Sequence, residues 1–173
     1  TAVLIKLDSE GPVFVALDRI TLGKKFAMYK FRSMVDNAHE MKDQLTEFNE
    51  RKDGGPLFKM HDDPRITRVG RFLRKTRIDE LPQLFNVLKG EMSLVGPRPH
   101  EPEEVGQYER HHKKLLVVKA GMTGMAQISG SSNLPFEEEV KLDTYYIENW
   151  SLFLDIKILL KTIILVFRDR SAC

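Results

Sequence analysis

Apolar residues recur along this chain with two different periods. Residues 11–18 (GPVFVALD) and 26–31 (FAMYKF) are rich in β-branched and aromatic side chains and are bounded by Gly and Asp, which predicts two strands. The linking RITLGKK holds one glycine and suits a hairpin loop. The opening AVLIKL also reads as a strand. From Met34 the period lengthens: Met34, Ala38, Met41, Leu45 and Phe48 predict an amphipathic helix over about 34–51, closed by RKDGGP. A helix over 65–76 groups Ile66, Val69, Phe72 and Leu73 on one side and fans arginines across the rest. Leu81, Leu84, Phe85 and Leu88 follow the i, i+3, i+4, i+7 rule of an amphipathic helix, with Pro82 in its first turn and Gly90 as its stop. Asp79 then lies at or beside that helix's N-terminus.

SLVGPRP is a short apolar run into a rigid turn, and residues 103–114 are polar and helical in pattern. LLVVKAGMTGMAQI predicts a strand, a Gly-x-x-Gly turn and a second short strand. Residues 136–148 predict a helix, and Asn149 suits the cap of the last helix, 150–168. On that helix Lys157, Lys161 and Arg168 form one stripe and Ser151, Asp155 and Thr162 another. Between them runs a wide face of Leu152, Phe153, Ile156, Leu160, Ile163, Ile164 and Phe167. Two arrangements satisfy this pattern: a helix lying on an anionic membrane, or a core helix with a solvated edge. With no repeats, no low-complexity tracts and no linker, the chain reads as one domain, 1–173. Its predicted class is α+β, mainly helical, with a small β-hairpin near the N-terminus and amphipathic interfacial helices.

Composition narrows the function. The hydrophobic content of 42% and charged content of 30% fit a folded protein. The net charge of +2 is smaller than the basic excess usual in nucleic-acid binders. Charge is unevenly spread, however. Arg65, Arg68, Arg71, Arg74, Lys75 and Arg77 fall within thirteen residues that hold no acid, and acidic runs stand at 101–104 and 137–139. The one cysteine, Cys173, excludes an intramolecular disulfide and any cysteine-based metal site. No apolar run reaches the roughly 18 residues needed to span a bilayer. The chain begins at Thr1 without a methionine, directly in an apolar run, and reads as part of something longer.

The chain contains no Walker-type loop, no G-x-G-x-x-G and no H-E-x-x-H. His111 and His112 are adjacent and would point apart on a helix. HDD at 61–63 reads as a turn before a helix, with metal binding as the other reading, and the sequon at Asn149 reads as accidental. Asp79 and Glu80 are different because of their neighbourhood. A carboxylate at a helix N-terminus is stabilised by about 0.3–1 kcal/mol, and nearby arginines favour its ionised form. An ionised carboxylate is able to act as a nucleophile or to ligate Mg²⁺, and the basic stretch to neutralise a diphosphate. An ordinary N-cap acid pair satisfies the same pattern. The Gly121-x-x-Gly124 turn suits phosphate contacts, and Pro97-Arg98-Pro99 fixes an arginine between two rigid residues or is a plain tight turn.

Five motifs in this order resolve the ambiguity: GPVF (11–14), YKFRSM (29–34), RIDELPQLFNVLKGEMSLVGPRP (77–99), GMTGMAQISG (121–130) and LDTYYIENWSLFLDIKILLKT (142–162). The chain closely resembles the bacterial sugar transferase family, the monotopic polyprenyl-phosphate phosphoglycosyl transferases, from about Gly11 to Arg168. The resemblance implies transfer of a sugar-1-phosphate from a UDP-sugar to a polyprenyl phosphate such as undecaprenyl phosphate, with release of UMP and with Mg²⁺ as cofactor. It also implies work at the cytoplasmic face of the bacterial inner membrane, anchored by a re-entrant helix upstream of Thr1. By the same resemblance Asp79 is the nucleophile that forms a covalent aspartyl phosphosugar, and Glu80 completes the acidic dyad that serves the metal or proton transfers. Arg74 and Arg98 match phosphate-binding positions. Lys30, Arg32 and Asp143 lie in recurring motifs and are further site candidates. The chain departs from the family pattern at Lys119 and Ala120, where members have Arg-Pro, and at Met125, where Trp or Leu is common. A homo-oligomer is compatible with this reading. Two other classes compete with it: a nucleic-acid module built on 65–77, and a membrane-surface scaffold without turnover. The first is disfavoured because the acid pair would repel a phosphate backbone.

Overall fold

The computed structural model describes residues 1–51, 55–60, 62–130 and 134–168. His61 and Cys173 lie outside the described residues. Ala2–Asp8 is a helix, α1, rather than a strand. Only Ile5 of its apolar residues is buried, while Val3, Leu4 and Leu7 stay exposed, so its sequence run of hydrophobics is not a core strand. The antiparallel hairpin follows, β1 (Phe14–Thr21) and β2 (Lys24–Phe31), in register Phe14 to Phe31 and Thr21 to Lys24. The strands run further into the linker than its composition indicates. Only Leu22 and Gly23 turn the chain, both with positive φ (50° and 69°), as a two-residue turn of this hand requires.

The helix expected over 34–51 is broken into α2 (Glu40–Gln44) and a 3₁₀ turn at Thr46–Phe48. Tertiary pairing overrides the local period here. Met34 bridges Ile66, Val35 N donates to Arg65 O (2.9 Å) and Thr67 N donates to Ser33 O (3.1 Å). That pairing also removes Arg65 from the next helix, α3, which runs only over Arg68–Lys75. Its first turn is satisfied by Thr67 Oγ1, which accepts from Gly70 N (2.9 Å), and by the Asp8 carboxylate, which accepts from Val69 N (2.8 Å). Gly70 is required by packing: a Cβ there would lie 1.9 Å from the Ser33 carbonyl oxygen.

After α3 the chain passes through Arg77 in the left-handed region (φ 55°), forms a 3₁₀ turn at Ile78–Glu80 and enters α4 (Gln83–Leu88). The acid pair therefore sits in its own tight turn and not on the first turn of α4. β3 (Ser93–Val95) pairs in parallel with β4 (Gly121–Thr123). Between them lie α5 (Pro102–Gly106) and a 3₁₀ segment, His112–Val117, which covers the start of the run whose pattern predicts a strand. After β4 comes a helix, α6 (Met125–Ser129), instead of the second strand.

The long helices match expectation: α7 covers Phe136–Glu148 and α8 covers Leu152–Arg168. The start of α8 is capped by Ser151, whose Oγ accepts from Leu154 N (3.2 Å). Asn149 instead turns back to the Tyr145 carbonyl. Two apolar clusters hold the domain together. Leu57, Tyr108, Leu115, Phe136 and Val140 form one, and Val95, Ile128, Tyr146 and Ile158 the other. The fold is α+β, mainly helical, as the pattern predicts. Among the described residues no helix is long and apolar enough to cross a membrane.

Candidate active site

The turn at Ile78–Glu80 meets β2. Lys30, on β2, brings its Nζ to 2.9 Å from Glu80 Oε1 and 3.7 Å from Asp79 Oδ2. Asp79 is buried and Glu80 and Lys30 are half-buried. The strained Arg77 conformation, which costs an L-residue roughly 1–2 kcal/mol, folds the chain back so that the pair faces the hairpin. The two carboxyls differ in character. Burial pushes Asp79 up, Lys30 pulls it down, the Glu80 charge pushes it up again, and the net shift is upward. Burial also raises Glu80, but Lys30 and then Arg98 outweigh it and hold this carboxyl at about 2. Glu80 is thus a fixed anion that answers the Lys30 ammonium, and Asp79 is the more basic, water-poor carboxyl beside it.

Arg74 and Arg98 both act on Asp79 as neighbouring positive charges, and Arg98 and Arg77 on Glu80. Arg74 is held on α3 by Ser33, whose Oγ accepts from its Nε (3.0 Å). Arg98 stands exposed on the Pro97–Pro99 turn. The structure therefore gathers Asp79, Glu80, Lys30, Arg74 and Arg98 from four separate stretches of chain.

The remaining candidates stand apart. Arg32 is buried, and its guanidinium donates to Pro12 O (2.6 Å), Ser9 O (2.9 Å), Gly11 O (3.3 Å) and Ile5 O (3.4 Å), with Ser9 Oγ as a further partner. It clamps the end of α1 to the start of the hairpin. Asp143, buried on α7, accepts from Ala126 N (3.1 Å) and from the Arg98 backbone N–H. Burial first, and Glu139 second among the raising effects, push its carboxyl up to about 7. Lys119 is exposed, its Nζ 3.7 Å from where a Gly90 Cβ would lie, and it is not among the main charges acting on either acid. The Gly121-x-x-Gly124 glycines serve a backbone crossing. A Cβ on Gly121 would lie 2.1 Å from Gly96 N, and one on Gly124 2.2 Å from Gly96 O.

The basic stretch 65–77 is not one surface. Arg65 is buried and doubly bonded to Asp63 (2.6 and 2.9 Å), while Arg68, Arg71 and Lys75 point to solvent. His111 and His112 do not point apart, because they precede and open a 3₁₀ segment. Their rings lie 3.9 Å apart and both reach Glu137, at 3.2 and 2.7 Å. Glu109 N donates to His112 Nδ1 (3.0 Å), which leaves the ring proton on Nε2 to be donated to Glu137. The trio is a strap between this segment and α7, since a metal on Nε2 would have to expel that proton.

Two buried polar residues next to the pair escaped the sequence reading: Gln83 and Asn86, which is 0% exposed. The apolar stripe of α4 hid them. That stripe faces outward, with Leu81, Leu84, Phe85 and Leu88 exposed by 43–83%, so α4 is inside out. α8 likewise leaves Leu152, Phe153, Ile156, Leu160, Ile163 and Ile164 exposed, with Ile158 as its buried anchor; the side chain of Phe167 lies outside those described.

The family model described as "Bacterial sugar transferase" matches residues 1–169. The chain belongs to the bacterial sugar transferase family. It is 49% identical to a galactosyl transferase, CpsE, of Streptococcus agalactiae over 94% of this chain and 36% of that protein. It is 47% identical to an undecaprenyl-phosphate galactose phosphotransferase of Salmonella typhimurium, over 94% of this chain and 35% of the relative. An Aeromonas hydrophila protein named UDP-N-acetylgalactosamine-undecaprenyl-phosphate N-acetylgalactosaminephosphotransferase is 44% identical over 94% and 37%. This bacterial sugar transferase chain thus spans about a third of the length of these relatives.

Proposed function

We propose that the chain is the catalytic domain of a phosphoglycosyl transferase, moving a sugar-1-phosphate from a UDP-sugar to a polyprenyl phosphate such as undecaprenyl phosphate. One observation carries the proposal: a buried carboxyl, Asp79, beside an anion already neutralised by Lys30 and within the field of Arg74 and Arg98. An Asp79 oxygen attacks the sugar-bearing phosphorus. The bond from that phosphorus to the bridging oxygen breaks, and the oxygen leaves with UMP. A polyprenyl phosphate oxygen then attacks the same phosphorus, and the bond to Asp79 breaks, which restores the carboxylate. Splitting the transfer lets one phosphate pocket serve both halves. Arg74 and Arg98 lie where they would bind the diphosphate and answer the charge that shifts during each step. Lys30 keeps Glu80 from repelling the incoming phosphate.

The donor set fits Mg²⁺. Two adjacent carboxylates supply hard oxygen ligands, one Glu80 oxygen being engaged by Lys30, and this ion commonly takes one or two carboxylates with substrate phosphates completing the shell. Asp79 and Glu80 would hold it, and when bound it supplies neutralising charge to the diphosphate.

The inside-out α4 and the exposed face of α8 support docking on a membrane, which we assign to the cytoplasmic face of the bacterial inner membrane, where nucleotide sugars are made. The relatives' names point to galactose and N-acetylgalactosamine as the first sugars to try. The test is UMP release with Mg²⁺ and polyprenyl phosphate across a UDP-sugar panel. Asp79→Asn is expected to abolish it, and quenched wild-type protein to carry a sugar-phosphate adduct on Asp79 by mass spectrometry. Normal turnover by Asp79→Asn would refute the nucleophile.

A further inference from the structure

We propose that Asn86 is a positioning residue that splints β2 to α4 and thereby sets Lys30 against Asp79 and Glu80. Its side chain is fully buried and fully bonded. Oδ1 accepts from Tyr29 N (3.0 Å), and Nδ2 donates to Ala27 O (2.8 Å) and to Glu91 Oε2 (2.7 Å). Among the described residues the hairpin has two strands, so β1 satisfies one edge of β2 and no described strand pairs with the other. Ala27 and Tyr29 belong to that second edge. One amide side chain answers both, giving and receiving as a neighbouring strand would. Lys30 is the next residue after Tyr29, and Asn86 lies six residues after Glu80 on the same stretch that carries the acid pair. The geometry therefore ties the ammonium and the carboxylates together twice, once through the ion pair itself and once through Asn86. The Asn86 carbonyl adds a third fixture by accepting from Glu91 N (2.9 Å) and Met92 N (3.3 Å), which closes the turn after α4. A leucine at 86 would suit an apolar helix better, but it would take the side-chain partner from the part-buried Tyr29 N–H and Ala27 C=O on β2.

The test has two arms, and only the second rests on the transferase reading. In the first, lysines are acetylated with limiting acetic anhydride and their rates compared by mass spectrometry, with no substrate present. Asn86→Ala, or the isosteric Asn86→Asp if the alanine variant does not fold, is expected to speed labelling of Lys30 by about tenfold while exposed Lys24 and Lys75 are unchanged, as local opening requires. An unchanged Lys30 rate, or a rise shared by every lysine, would overturn the proposal. In the second arm, Asn86→Asp is expected to lower kcat for UMP release roughly tenfold with KM within about twofold, and to have less than about a twofold effect once Lys30→Met is present. Equal losses in both backgrounds would overturn it too. Selective release of Lys30 in a protein that turns over no UDP-sugar would instead leave the splint standing and remove the transferase reading.

Discussion

The Lys30 ammonium stands 2.9 Å from the Glu80 carboxylate across fifty residues of sequence. This contact joins the hairpin to the acid turn, and it helps hold Glu80 at about 2 while burial shifts the Asp79 carboxyl beside it upward. Lys30→Met leaves Glu80 a half-buried anion without its nearest partner and takes from Asp79 the cation that offsets the Glu80 charge. UMP release is expected to fall by about 10²–10³-fold, the range found when a preorganised charge is removed from a site. Lys30→Arg keeps the charge but not the reach of a point ammonium, so it should recover part of the loss. Assays of the two variants side by side at one saturating UDP-sugar concentration check this.

The glycines of the Gly121-x-x-Gly124 turn make a separate prediction. Gly124→Ala puts a methyl group 2.2 Å from the Gly96 carbonyl oxygen, and backbone cannot yield as a side-chain tip can. The expected result is destabilisation of roughly 1–3 kcal/mol, the usual cost of overpacking, with KM for the UDP-sugar unchanged in the fraction that folds. A raised KM at unchanged stability would return this turn to phosphate binding. Urea unfolding and initial-rate kinetics on the same preparations separate the two.

The parts of this molecule that are legible in its sequence are those whose local pattern and tertiary role agree. The hairpin alternates against one partner strand, α7 and α8 are long enough to keep their period, and the DELP stretch places two acids beside a helix start. Tertiary contacts decided the rest. Residues 34–51 give up a helix because Ser33 to Val35 pair with Arg65 to Thr67. Arg32 and Asp143 sit in recurring motifs, yet one clamps carbonyls and the other holds the Arg98 turn, and no sequence distinguishes a buried charge from an exposed one. The spacing of α4 marks it as amphipathic. Its orientation was not readable, because a periodic stripe does not say whether core or membrane covers it.

Asp143 gives the pH dependence a definite sign. Its folded carboxyl sits at about 7, above the ordinary carboxylate value of about 3.9, so the folded state favours the proton. The contribution to stability is therefore complete below about pH 3.9 and is lost as pH rises through 7. Glu139 on the same helix and the Tyr108 and Tyr146 hydroxyls are titratable groups in its field. Between pH 5 and 8 this group alone should remove about 2–3 kcal/mol, at roughly 1.4 kcal/mol per unit. Asp143→Asn cannot ionise and should flatten that slope. Parallel slopes for the two proteins in urea titrations at pH 5, 6.5 and 8 would show that the buried carboxyl does not carry this dependence.

The inside-out helix separates stability from membrane binding. Phe85 and Leu88 are 61% and 83% exposed, so replacing both by serine removes little packing, and unfolding free energy is expected to change by less than about 0.5 kcal/mol per site. If the stripe lies in a bilayer, each side chain instead gives up about 1.5–3 kcal/mol of burial, and binding to vesicles of mixed anionic and neutral lipid should fall by at least tenfold. The polar face offers an internal control. Gln83 and Asn86 point inward, so a serine at either position leaves the exposed stripe intact, and vesicle binding by the folded protein is expected to be unchanged. Vesicle co-sedimentation beside thermal melting reads both quantities from the same two proteins. Unaltered vesicle binding would mean that α4 does not meet the membrane.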